Sequence, residues 1–102
     1  MSRDSNPPPI NIADPFARGL LTRYLERRKT DIEQLRNALA SKNYATIERT
    51  GHNLFGSGAA YGLDAISTLG ADLERAAQDS NDEAIASLVE ELEEFVKTVA
   101  IA

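Results

Sequence analysis

The stretch Arg49-Thr50-Gly51-His52-Asn53-Leu54-Phe55-Gly56-Ser57-Gly58-Ala59-Ala60-Tyr61-Gly62 decides the fold. With Tyr44 and Ile47 just before it, Leu54, Gly58 and Tyr61 fall at intervals of three, four and seven, the spacing that lines one face of a helix. A strand would need alternation with a period of two, and none is present. Each helical residue turns the chain by about 100°. His52, the only histidine, therefore points away from Leu54 and toward solvent, sharing its side with Phe55, Gly56 and Ala59.

The same periodicity extends in both directions. Upstream, Ser41-Lys42-Asn43 reads as a connector. Before it, Asp14 as cap and Pro15 in the first turn open a helix whose stripe is Phe16, Leu20, Leu21, Leu25, Ile32, Leu35 and Leu39. That helix runs to about Ala40, with a break expected near Arg28 to Thr30. Downstream, Gly62 suits a left-handed stop. Asp64 is the expected cap of a third helix with stripe Ile66, Leu69, Leu73 and Ala76 or Ala77. The polar turn Asp79-Ser80-Asn81-Asp82 then leads to a fourth, lined by Ile85, Leu88, Leu92, Phe95 and Val99.

Short connections favour antiparallel neighbours, so the expected fold is all-α, an antiparallel up-and-down four-helix bundle with an additional N-terminal helical segment or a kinked first helix. Residues 1–13, with Pro7-Pro8-Pro9, read as an extended or flexible arm ending in Ile10 and Ile12 against the domain. Residues 14–102 form the bundle. Met1 and the short tail favour a free-standing protein.

Composition narrows the function. A chain of 102 residues that is 42% hydrophobic supports one core and one domain. The absence of cysteine removes disulfides and thiolate metal sites, and with one histidine only carboxylates remain as further ligands, so no metal site is expected. No apolar run reaches the roughly 18 residues of a membrane span, and Met1 to Pro7 lacks the apolar core of a secretory signal. No membrane partner and a cytoplasmic location are expected. A net charge of −5 argues against nucleic acid, which selects clustered Lys and Arg. Charge is unevenly spread, though: Arg18, Arg23, Arg27, Arg28, Lys29 and Arg36 make the first third basic, and Glu83, Glu90, Glu91, Glu93 and Glu94 make the last helix acidic. Ser57 has no base to complete a triad.

An exposed imidazole with an ordinary pKa of about 6.5 is available as a neutral nucleophile near pH 7, one nitrogen attacking while the other keeps its proton. Gly56 and Ala59, on the side of His52, would let a partner's backbone reach the ring, whereas Gly58 on the inward side would admit a close neighbouring helix. Arg28 lies near the inward stripe and needs an acidic partner, for which Glu74 and Asp72 are the candidates.

His52, Leu54, Gly56, Ser57, Gly58, Ala59 and Gly62, followed by Leu69, Leu73 and Glu74, resemble the histidine-containing phosphotransfer (HPt) domains of bacterial phosphorelays over roughly residues 14–99. The resemblance implies that His52 accepts a phosphoryl group from a receiver-domain aspartate and passes it to another receiver. It also implies that Mg²⁺ and the catalytic groups belong to the receiver, so the chain binds no cofactor and is a carrier without an active site of its own. The implied partners are response-regulator receivers and a hybrid histidine kinase, with the chain a monomer. Phe55 departs from the family pattern, which usually has lysine there to place a positive charge near the phosphoryl oxygens. Phe55 could instead widen an apolar docking surface, and Arg49, one turn before His52, is the nearest substitute cation. The alternative reading is a receiver-binding adaptor with weak or no transfer.

Overall fold

The computed structural model describes residues 14–101, with side chains through residue 99. Among them are four helices: α1 (Pro15–Ala40), α2 (Tyr44–Ala60), α3 (Asp64–Gln78) and α4 (Asp82–Ile101). Neighbouring helices pack as α1 with α2, α2 with α3, α3 with α4 and α4 with α1, and the diagonal pairs do not meet. This closed square of antiparallel helices is the up-and-down bundle expected from the short connections. The expected arm and its Ile10 and Ile12 lie outside the described residues.

All three connections have the same three-residue form, a helix end, a left-handed residue and a helix start. In the first, Lys42 has φ 59°, its N–H donates to Leu39, and the Asn43 N–H donates to the Ala38 carbonyl at 2.7 Å. Gly62 (φ 71°) and Ser80 (φ 51°) repeat the pattern, with Leu63 donating to Gly58 and Asn81 to Ala76. These paired bonds satisfy carbonyls at the ends of α1, α2 and α3. Only Gly62 takes the left-handed turn without a Cβ penalty.

The starts are capped by side chains in three cases: Asp14 accepts from Phe16, Asn43 from Thr46 and Asn81 from Ala84. The expected cap Asp64 is displaced by one residue. Leu63 occupies the cap position without a side-chain bond, because the Gly62 turn leaves Asp64 already helical. There its carboxylate still favours the positive end of the helix dipole.

The core takes residues from every helix: Leu35 from α1, Ile47 and Leu54 from α2, Ile66 and Leu73 from α3, Ile85 and Leu92 from α4, all at most 1% exposed. Each contributes about 1.5–3 kcal/mol by leaving water.

Helix α1 is one uninterrupted helix through Arg28, Lys29 and Thr30, so the expected break is absent. Its N-terminal part nevertheless differs from the rest. Arg36 pairs with Glu93 at 2.8 Å, and antiparallel helices of equal rise then place Ile101, the end of α4, at about the level of Arg28. Likewise the Tyr24–Ser57 contact places Ala60, the end of α2, near Leu21. The first turn and a half of α1 overhangs the bundle. For that reason Phe16 and Leu20, expected on the inward stripe, are exposed at 71% and 37%.

Candidate functional site

Helix α2 is held unusually close to α3. A Cβ built on Gly51 would sit 2.6 Å from the Gly70 carbonyl oxygen, and one on Gly58 would sit 2.6 Å from the Ser67 nitrogen. Ordinary side chains cannot occupy such gaps, so Gly51, Gly58 and Gly70 form a seam along which two backbones touch. The Ser67 hydroxyl donates to the Phe55 carbonyl at 2.9 Å and fixes the register of the two helices.

That register decides what faces His52. Its side chain is 68% exposed, and its Nδ1 lies 3.5 Å from Glu74 Oε2 on α3. The separation exceeds the 2.7–3.2 Å of a well-formed hydrogen bond, so the contact is an electrostatic one that a small rotation would tighten. A carboxylate on that side favours the proton on Nδ1 and leaves Nε2, with its lone pair, facing outward.

The surroundings of the ring follow helical phase. Arg49, Phe55, Gly56 and Ala59 are all exposed on the face of His52. Phe55 is 48% exposed while its backbone is locked to α3. Gly56 has nothing within 4 Å of where a Cβ would stand, so the approach to the imidazole is open on that side. Gly58, by contrast, is a packing glycine. Among the described residues Arg49 has no ion-pair partner.

Arg28 is only 7% exposed, but its partner is neither Glu74 nor Asp72. Its Nε lies 2.9 Å from Asp31 Oδ2 on the same helix, its guanidinium stacks 4.0 Å above the Tyr24 ring, and its Nη1 donates to the Ser57 hydroxyl at 3.4 Å. The Nε–H is not aimed at the carboxylate, so the pair is Coulombic rather than a directed hydrogen bond. This part of α1 packs on α2, whereas Glu74 and Asp72 lie on α3, diagonal to α1. Burial pushes the Asp31 carboxyl above the usual carboxylate range, and Arg28 and Arg27 only partly oppose this.

Sequence reasoning missed Tyr24, its 2.9 Å hydrogen bond with the Ser57 hydroxyl, and the Tyr24–Tyr61 stack with centroids 4.3 Å apart. It also missed Gly51 and Gly70, although a glycine three before the inward Leu54 and another one residue after Leu69 were the available signals.

Among the described residues no group of three His, Cys, Asp or Glu could hold a metal ion, and no helix is long and apolar enough to cross a membrane. The arrangement offers one nucleophile, one orienting carboxylate and an open approach.

The family model for the Hpt domain matches residues 19–100. No curated protein and no solved structure gives a significant match. A match over most of the chain, on a four-helix bundle presenting one histidine, makes this chain a member of the Hpt domain family, the histidine phosphotransfer carriers of two-component phosphorelays that interact with receiver domains and kinases.

Proposed function

We propose that His52 is the phosphoryl carrier, with Nε2 as the atom that reacts. The observation that carries this reading is the exposed ring with its Nδ1 turned toward Glu74 and its approach open at Gly56. In the forward step the Nε2 lone pair attacks the phosphorus of a receiver's aspartyl phosphate. The N–P bond forms, the P–O bond to the aspartate breaks, and the carboxylate leaves with the electron pair. The ring, still protonated at Nδ1, becomes cationic, and the Glu74 carboxylate offsets that charge. Transfer to a second receiver reverses these changes. Mg²⁺ is expected in the receiver, where it would offset charge on the phosphoryl oxygens.

Incubation with phosphorylated receiver domains tests the reading. Acid-labile label should appear on the chain, at Nε2 by phosphorus NMR, and be lost in His52→Gln. Absence of label with every receiver of the source organism would refute it.

The half-exposed Phe55 favours a second reading, an adaptor that binds receivers with little transfer. Phe55→Lys separates the two. As a carrier lacking its usual cation, the protein should transfer about tenfold faster with lysine at unchanged affinity, the order expected of one added charge-assisted contact. As an adaptor it should instead bind more weakly, because an aromatic anchor has been removed.

A further inference from the structure

Beside the histidine helix, α1 and α2 enclose a crevice of about 440 Å³ whose chemistry the transfer reaction does not use. Leu20, Tyr24 and Tyr61 supply apolar wall, and three arginines, Arg23, Arg27 and Arg28, open into it against a single carboxylate, Asp31. This excess of positive charge occurs in a chain whose net charge is −5. Asp31 is already engaged by Arg28. Arg23 and Arg27, one helical turn apart, are exposed and have no ion-pair partner among the described residues, whereas Lys29, Arg36 and Lys42 are each paired with a carboxylate.

The position of the crevice identifies its occupant. Its wall includes Asn53, the residue next to His52, and Ser57, one residue past Gly56. A protein that brings a phosphoryl donor to His52 approaches the exposed face of α2, and Asn53, exposed and next to His52, lies both on that approach and on the crevice wall. Among the described residues, the overhang of α1 beyond α2 and α4 leaves the arginine side uncovered. From the charge and this adjacency we infer that the crevice is a docking pocket for an acidic side chain of the receiver, held between Arg23 and Arg27 while Arg28 and the Tyr24–Tyr61 stack form its rigid wall. The inference rests on the phosphocarrier reading for the partner's identity. It assigns partner selection to the first helix, one element away from the reacting histidine.

The test titrates the receiver domain that labels His52 fastest, or failing any label the one that binds most tightly, into the full chain. Arg23→Ala/Arg27→Ala should weaken binding about tenfold at ~0.1 M salt, and added salt should weaken the wild type more than the double variant. Both positions are exposed, so circular dichroism should show the same unfolding midpoint. Arg75→Ala, which removes an exposed cation where α3 faces α4, should bind as the wild type does. Equal weakening by Arg75→Ala would reduce the effect to net charge and overturn the pocket. Label on His52 with affinity unchanged in the double variant would overturn the pocket and leave the carrier reading intact. Arginine-dependent binding without label would do the reverse. A chain that neither binds nor is labelled by any receiver loses both. Saturable shifts of Arg23, Arg27 and Ser57 resonances with inorganic phosphate, without an effect of the double variant on receiver binding, would make the occupant a small anion and likewise overturn the proposal.

Discussion

Gly56 and Gly58 lie two residues apart on α2, and the same substitution at the two should move stability in opposite directions. Alanine in a helix interior is favoured over glycine by about 1 kcal/mol. At Gly56 the new methyl meets nothing within 4 Å, so Gly56→Ala should be more stable by about that amount. At Gly58 the methyl would stand 2.6 Å from the Ser67 nitrogen and 3.0 Å from its Cα, both backbone atoms that no rotamer change can remove. Contacts between such atoms are comfortable near 3.5 Å, so α3 must retreat by on the order of 1 Å along the seam. Overpacking of this kind costs roughly 3 kcal/mol, which outweighs the helix gain and leaves Gly58→Ala about 2 kcal/mol less stable. Urea unfolding followed by circular dichroism reads the difference, with m unchanged. In a domain of this size the midpoint temperatures should move by about 5 °C upward and about 10 °C downward. The Gly56 variant carries a second consequence: its methyl stands on the approach to His52, so phosphoryl transfer should slow while stability rises. Gly58→Ala at or above wild-type stability would refute the seam, and a destabilised Gly56→Ala would refute the open approach.

Glu74→Ala should slow transfer about tenfold and remove the Nδ1–H tautomer from the ring's nitrogen-15 spectrum, with Glu74→Gln intermediate because it keeps an acceptor without the charge. Equal rates in all three proteins would remove Glu74 from the site. Arg28→Met should destabilise the fold by about 2 kcal/mol, and Arg28→Met/Asp31→Leu should recover most of it, since the single change leaves a partly buried carboxylate without its cation. The Asp31 carboxyl is raised by burial, so its contribution is fully present below the ordinary carboxylate range and lost as pH rises through its folded value. Removal of Arg28 should enlarge that loss in urea midpoints measured across pH. Asp82 is shifted the other way, held low first by Lys42 and then by the Tyr44 hydroxyl, which donates at 2.6 Å. Its contribution is present above the ordinary carboxylate range and lost as pH falls through its lowered folded value, so Asp82→Asn should flatten the decline in stability below about pH 4.

Helical phase alone made the outward His52, the inward Ile47 and Leu54, and the order of four helices legible, because a period of 3.6 requires no knowledge of neighbours. Gly62 was legible as a left-handed stop for the same local reason. Lys42 and Ser80 occupy the same conformation without the residue type that announces it, since the paired bonds of the turn hold them there. The cap at Leu63 instead of Asp64 depends on how tightly the Gly62 turn closes, and the exposure of Phe16 and Leu20 on where one helix ends relative to another; stripe spacing carries neither. Arg28 was recognised as a buried charge needing a partner, but its candidates Glu74 and Asp72 both lie on α3, and setting them aside for Asp31 requires knowing which helices pair. Glu74 itself belongs to the histidine, a result of the α2–α3 register.

The register is set by backbone, and this explains how Phe55 can stand where the family usually has lysine. The Phe55 carbonyl accepts from Ser67, and a Cβ on Gly70 would meet the Phe55 nitrogen at 2.5 Å, so the main chain at this position is clamped to α3. Its side chain is half in solvent and contributes little to that clamp. The seam therefore fixes His52 beside Glu74 whatever residue follows at position 55. Exchange of a cation for an aromatic ring there alters what a partner meets, while the histidine and its carboxylate stay in place. A site whose geometry is carried by touching helices can change its electrostatics one exposed side chain at a time, and Arg23 and Arg27 of α1, without an ion-pair partner among the described residues, show positive charge next to the histidine helix supplied from a different element.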